Sequence, residues 1–305
     1  MTLFTIILLA LLLDFWLGEP RHYHPLVGFG RIAGWLEQKF NRGEARKRRR
    51  LGVLALLLAV LPVVVLVALL IWLAEMAVVF EVLILYLAIG GSSLAQHGRS
   101  VMAALVAGDL AQARERVGWM VSRDSAELDQ AGVARAGVES VLENGNDALF
   151  GAIFWFILLG APGVVLYRLV NTLDAMWGYR NQRYQDFGWA AARLDDLLNW
   201  PPARLTALSY ILSGDLRRGW RCLRQQGGRT DSPNAGVVMA AGAGALGLQI
   251  GGPASYHGES QDKPQLGEGL APTAHDIQRS IVLVQRALLW WLGVILLVAV
   301  LIHVF

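Results

Sequence analysis

The stretch LGVLALLLAVLPVVVLVALLIWLA (51–74) contains no charged side chain. About 20 such residues in a helix cross a hydrocarbon core roughly 30 Å thick, and a helix satisfies its own backbone polar groups there. The run therefore predicts a full transmembrane span. Working outward, residues 76–96 are apolar except for Glu81, with Glu75 at the turn between the two runs. Residues 2–17 are broken only by Asp14, and residues 287–305 make a clean final span. Residues 2–17 lack a basic start and no small-residue cleavage site follows, which reads as a retained anchor rather than a signal peptide. At 55% hydrophobic residues and mean hydropathy +0.44, the 305-residue chain fits one membrane-embedded domain.

Charge sets the topology. QKFNRGEARKRRR (38–50) carries seven Lys or Arg in the short loop before residue 51, and such loops stay cytoplasmic. The same run suits anionic headgroups. Residues 97–147, with five Arg, fall on the same side. ALFGAIFWFILLGAPGVVLYRLV (148–170) is divided by Gly160-Ala161-Pro162-Gly163 into two halves, each too short to span. It is expected to form a re-entrant or interfacial hairpin, leaving 171–280 cytoplasmic. The predicted fold is an all-α polytopic membrane protein. It has four full spans near 2–17, 51–74, 76–96 and 287–305, the hairpin, and a helical cytoplasmic layer.

Against this apolar background, NTLDAMWGYRNQRYQDFGWAAARLDDLLNW (171–200) concentrates Asp174, Arg180, Arg183, Asp186, Arg193, Asp195 and Asp196. Charges near lipid are retained mainly where they pair or act. Asn171 and Asp174 share a helical face, and Gly178 loosens the chain before Tyr179, Arg180 and Asn181. The Arg forks suit phosphate or carboxylate. Arg193 and Asp196 are spaced to pair, with Asp195 pointing elsewhere. Trp177, Tyr179, Tyr184, Phe187 and Trp189 form either the wall of a large flat ligand or an interfacial aromatic belt.

A helix is expected over 125–144, capped by Ser125 and ended by Asn144-Gly145. On it Arg135, Glu139 and Glu143 share one face, either as Mg²⁺ ligands or as a solvated row with an Arg135–Glu139 pair. Ser232-Pro233-Asn234-Ala235-Gly236 reads as a turn opening a small-residue helix over 235–250, which suits an anion or close helix packing. Lys263, one of three lysines against 24 arginines, lies in an expected polar loop as a candidate phosphate contact. His22 and His24 are close enough for a metal, or serve a boundary role beside Pro25. The single Cys222 allows no internal disulfide. A net charge of +3, with the basic residues at membrane edges, argues against nucleic acid. G-x-x-x-x-G-K-[ST], G-x-S-x-G and H-E-x-x-H are all absent.

VSRDSAEL (121–128), VESVLENGND (138–147), residues 171–205 and SPNAG (232–236) resemble adenosylcobinamide-phosphate synthase, the CbiB/CobD family of cobalamin biosynthesis. LLLDFWLGEPRHYHPLVGFGR (11–31) and LGLQIGGPASYHGES with KPQLG (246–267) extend the resemblance nearly end to end. The resemblance implies an ATP- and Mg²⁺-dependent ligase of the bacterial inner membrane, with its active site facing the cytoplasm. It would join (R)-1-amino-2-propanol phosphate, or aminopropanol, to the carboxylate of adenosylcobyric acid. On that basis Glu139, Glu143, Asp174, Asp195 and Asp196 are expected to hold the metal, with Glu139, Glu143, Asp174 and Asp196 catalytic. Arg123, Arg180, Arg183, Arg193, Asn181, Ser232, Asn234 and Lys263 are expected to meet phosphates or substrate. Expected partners are the corrinoid, the amine, the lipid bilayer and other late cobalamin-pathway enzymes. The chain departs from the family pattern at Glu19 (usually Asp), Ala148 (commonly Gly) and Thr230 (often His), the last removing one candidate base. The rival reading is a membrane signalling or accessory protein of the AmpE-like type, which would lack the charged central strings.

Overall fold

A computed structural model describes residues 2–20, 24–256 and 259–304, so His22 lies outside the described residues. In chain order the elements are α1 (Thr2–Leu17), α2 (Pro25–Phe40), α3 (Ala45–Leu73), α4 (Ala77–Ala88), α5 (Gly91–Val106), α6 (Leu110–Gly118) and α7 (Gln130–Gly145). A π-helical segment (Asn146–Phe150) leads to α8 (Gly151–Trp177), α9 (Trp189–Ser213), α10 (Leu216–Gln226) and α11 (Ala235–Leu246). Two antiparallel strands, β1 (Gln249–Tyr256) and β2 (Glu259–Gly267), precede α12 (Ala274–Val304). The chain forms two compact units, Met1–Gly90 with Gly151–Asn199, and Gly91–Phe150 with Trp200–Phe305.

Among the described residues four helices are long and apolar enough to cross a membrane: Ala45–Leu73, Ala77–Val106, Gln130–Trp177 and Ala274–Val304. Three of them contain or overlap the expected spans at 51–74, 76–96 and 287–305, whereas Gln130–Trp177 stands in place of the span expected at 2–17. α1 has 16 residues, about 24 Å of helix at 1.5 Å per residue, short of a straight crossing. The Ala77–Val106 segment is interrupted at Ile89-Gly90.

The first unit packs α3 and α4 against α8, and α2 against α3. Gly160 has φ 63° and ψ −153°, outside the helical region. A methyl group at Gly151 would collide with the Tyr167 hydroxyl. Sixteen residues of straight helix would separate those positions by about 24 Å, so α8 folds back at Gly160 into two limbs. Behind it, the loop between α8 and α9 is clamped by close backbone approach. A Cβ at Gly188 would strike the Trp177 carbonyl oxygen, and one at Gly52 of α3 the Phe187 carbonyl oxygen. Gly→Ala in a free helix should stabilise by up to about 1 kcal/mol. Gly52→Ala should instead destabilise by about 1–3 kcal/mol through overpacking, read as a lowered melting temperature in detergent. A raised melting temperature would contradict the clamp.

The second unit packs α7 against α5 and α12, and α10 against α11. Its differences from expectation have local causes. The helix over 125–144 begins instead at Gln130, because Asp129, not Ser125, accepts the Gly132 N–H. As expected, α7 ends at Asn144-Gly145, and the chain runs on as the π-helical segment from Asn146. Asn144 donates back to the Ser140 carbonyl, while a Cβ at Gly145 would strike the Tyr210 hydroxyl, so this glycine serves packing. The small-residue helix stops at Leu246, where Gly247 turns left-handed at φ 70°, and the expected polar loop is a β-hairpin. In it Ile250 pairs with Leu266, both buried, and Gly252 with Lys263.

Candidate functional site: an Asp–Asn–Arg cluster on α8 and α9

The end of α8 and the start of α9 bring the central carboxylates together. Asn171 Nδ2 donates to Asp195 Oδ1 at 3.2 Å, and Asn199 Nδ2 to Asp195 Oδ2 at 3.0 Å. Tyr167 Oη donates to Asn199 Oδ1 at 2.9 Å, and Arg168 to Asn171 Oδ1 at 3.3 Å. Both oxygens of Asp195 are thus oriented by amides that are themselves held. The negative charges of Asp195 and Asp196 bear on Asp174. Asp196 pairs with Arg193 at 3.7 Å, as the spacing anticipates. Burial pushes the Asp196 carboxyl above its ordinary range, while Arg193 and Arg180 pull it down. Asp174, Asp195, Asp196, Arg180 and Arg193 therefore form one electrostatic group. Tyr167, Arg168 and Asn199 belong to it without having been singled out in the sequence. Asn199 was the legible one, one helical turn beyond Asp195.

Arg183 and Asn181 take different places. Arg183 forms a two-point pair with Glu37 of α2, Nε to Oε1 at 3.1 Å and Nη2 to Oε2 at 2.8 Å. Asn41 donates to Glu37 Oε1 and to the Arg183 carbonyl, and Arg48 bonds the carbonyls of Gln182 and Arg183. Asn181 Oδ1 accepts the N–H groups of Arg183 and Tyr184, fixing the turn. These groups pin the loop that presents Arg180. The hydrogen bonds from Arg183 hold the Glu37 carboxyl below its usual range, with Asn41 adding to the effect and burial opposing it. A carboxyl depressed on folding stabilises fully above its unfolded value and loses that contribution as pH falls through the folded value. Acid should therefore lower the melting temperature of the wild type below about pH 4.5 more steeply than that of Glu37→Gln. Parallel acid limbs in a pH-melting series would contradict the pair's role.

Trp177 and Phe187 pack edge-to-face at 4.9 Å in the core, each 1% exposed, so they do not line an open aromatic wall. Trp189 lies beneath Arg49, 4.2 Å from ring centre to guanidinium, and Tyr179 and Tyr184 sit 6.3 Å apart. His24 caps α2 by accepting the Leu26 N–H through Nδ1, the bland of its two readings.

In the second unit Glu139 pairs with Arg123, not with Arg135 on its own helix. Glu139 is buried and Arg123 nearly so, and Glu139 Oε1 also accepts the Gly251 N–H at 2.6 Å. The pair thereby ties β1 to α7. Glu143 is half-buried on the same helix. Ser232 Oγ accepts the N–H groups of Asn234 and Ala235, capping α11. Asn234 Oδ1 takes a 2.6 Å hydrogen bond from Arg204, which also donates to the Pro233 carbonyl. Lys263 lies on β2.

Among the described residues no three His, Cys, Asp or Glu side chains are arranged as a metal cluster. Of the five expected metal ligands, Glu139 and Glu143 belong to the second unit and Asp174, Asp195 and Asp196 to the first. The hard oxygen donors of Asp174 and Asp196 fit Mg²⁺ as it is commonly held, by one or two carboxylates completed by substrate phosphates and water. They do not form a protein cage.

Apolar helices able to cross a bilayer, with a polar cluster of Asp, Asn and Arg at the helix ends, define a polytopic membrane protein with this cluster as its candidate site. The model of the CobD/Cbib protein family matches residues 7–284. Curated relatives described as cobalamin biosynthesis protein CobD agree. That of Chromobacterium violaceum is 56% identical over 299 residues, 96% of each chain. That of Stutzerimonas stutzeri is 56% identical over 296 residues, 97% of this chain and 98% of its own. That of Mycobacterium tuberculosis is 41% identical over 284 residues, 91% and 90%. No solved structure matches. The chain belongs to the CobD/Cbib family of cobalamin biosynthesis proteins.

Proposed function

We propose that this protein is an acid–amine ligase that uses ATP to join (R)-1-amino-2-propanol phosphate, or free aminopropanol, to the carboxylate of adenosylcobyric acid. The observation that carries the reading is the α8–α9 cluster, in which paired carboxylates and unlike-charged Arg side chains share one partly buried place. It lies in the segment whose sequence carries the family resemblance most densely. ATP places the site at the cytoplasmic face of the inner membrane, in keeping with the basic run at 42–50.

The reaction has two balanced steps. A corrinoid carboxylate oxygen attacks the γ-phosphorus of ATP, the bond to the β-bridging oxygen breaks, and ADP leaves an acyl phosphate. The amine nitrogen then attacks the acyl carbon, the C–O bond to phosphate breaks, and inorganic phosphate leaves as the nitrogen loses its proton. Both steps move negative charge among phosphate oxygens, and fixed cations stabilise that charge. Arg180 and Arg193 supply it here. Asp174 and Asp196 would hold Mg²⁺, which would neutralise phosphate charge when bound. Asp195 acts as a positioning residue, held by Asn171 and Asn199. Arg183 and Asn181 act by fixing the loop, and Arg123 with Glu139 by fixing the β-hairpin that carries Lys263. Ser232 and Asn234 act by shaping the turn before α11 in the second unit.

The test is turnover by the purified protein in detergent with adenosylcobyric acid, ATP, Mg²⁺ and either amine, the amide being identified by mass. ATP-dependent product with one amine supports the reading and names the amine. Folded protein that binds corrinoid but makes no amide with either would overturn it.

A further inference from the structure

The second half of α9 is inside out for a helix bathed in water. Its hydroxyl-bearing residues point inward. Thr206 and Tyr210 are fully buried, bonded to Asn146 Oδ1 and to the Leu142 carbonyl. Its large apolar residues point outward, Trp200 at 55% exposure and Leu205, Leu208 and Leu212 at 43% each. At 100° per residue these four fall within an arc of about 140°. A helix on the surface of a soluble protein turns that stripe to the core.

Two contacts fix the level at which the stripe lies. Trp291 Nε1 donates to Ser209 Oγ at 2.9 Å. Trp291 belongs to the stretch of α12 after Arg286 that holds no Asp, Glu, Lys or Arg through Val304, in the helix that serves as the final span. The middle of the stripe therefore sits where α12 leaves its polar turns for its apolar ones. At one end, the Arg204 guanidinium lies 4.5 Å from the Trp200 ring centre and bonds the carbonyls of Trp200 and Pro233. An aromatic ring with a cation folded back onto polar groups is the usual arrangement at a membrane–water boundary.

We infer that the outward face of α9 from Trp200 to Ser213 lies against lipid acyl chains at the membrane–water boundary. This half of α9 is then a lipid-contacting interfacial helix and not part of the water-bathed layer assigned to 171–280 from sequence. The inference is independent of ATP or corrinoid chemistry.

The test uses single cysteines at Leu205, Leu208 and Leu212 in a Cys222→Ala background, labelled with bimane and placed in phospholipid nanodiscs. Quenching by a shallow doxyl-labelled phospholipid is compared with quenching by aqueous iodide, with a label at exposed Glu115 of α6 as the water reference. At all three positions the lipid quencher should act several-fold more strongly than at Glu115, and iodide several-fold more weakly. Iodide quenching equal to that at Glu115 would show a water-facing helix and overturn the inference. Protection from both quenchers would show a protein partner or a second copy and would overturn it too. Cys222 is 1% exposed, so the labels can be introduced with Cys222 retained if its Ala variant does not fold.

Discussion

Asp196→Ala should lower amide turnover at least 10²–10³-fold, the scale on which removal of one preorganised charge-handling group acts, while the protein stays membrane-inserted and folded. Asp196 is the member of the cluster with cations on its own side, Arg193 at 3.7 Å and Arg180 acting on the same carboxyl. The Asn171–Asn199 bracket holds its neighbour Asp195. Removal of Asp196 takes away a metal-holding oxygen and leaves Arg193 without its partner, so catalysis should suffer more than folding. Asp195→Asn should behave differently. It perturbs the hydrogen-bonded bracket and should lower the melting temperature as well as turnover. The comparison is read from kcat and melting temperature measured on the same detergent preparations. Normal turnover by Asp196→Ala would remove it from the site.

The second large effect concerns stability. Glu139→Ala should destabilise the protein by about 3–5 kcal/mol, because removing one partner of a buried ion pair leaves the other charge uncompensated. The Arg123 and Glu139 side chains are 11% and 8% exposed, and Glu139 also holds the Gly251 N–H. Amide exchange along β1 and β2 should accelerate together with the fall in melting temperature. Replacing both partners by apolar residues of similar size should recover most of the loss. A Glu139→Ala protein that melts like the wild type but has lost turnover would instead return Glu139 to the metal-binding role its spacing suggested.

That contrast shows what was legible in the sequence. Charge-free runs and the basic loop exposed the membrane character, because lipid penalises charge residue by residue and leaves a one-dimensional trace. The Gly160–Gly163 break likewise marked where α8 leaves helical geometry, at Gly160. The density of charge in 171–200 pointed to the cluster, and the Arg193–Asp196 spacing to a local pair within it. Helical spacing says nothing about partners from elsewhere in the chain. Glu139 therefore suggested Arg135, four residues away, whereas its partner is Arg123 on a separate segment. Arg183 looked like a phosphate ligand until Glu37, 146 residues distant, occupied it. Two members of the aromatic run were misplaced for a related reason. Trp177 and Phe187 are as suited to a core as to a ligand, and only packing distinguishes the two. The hairpin after Gly247 was obscured by glycines and polar residues that read equally well as loop.

The most direct measurement follows a single oxygen atom. Adenosylcobyric acid labelled with ¹⁸O in the reacting carboxylate is incubated with protein, ATP, Mg²⁺ and the amine, and the phosphate released is examined by mass. One ¹⁸O is expected in inorganic phosphate for each amide formed, with both signals lost in Asp196→Ala. Amide formed with no ¹⁸O in phosphate would contradict activation through an acyl phosphate, and no amide from folded, corrinoid-binding protein would contradict the ligase itself.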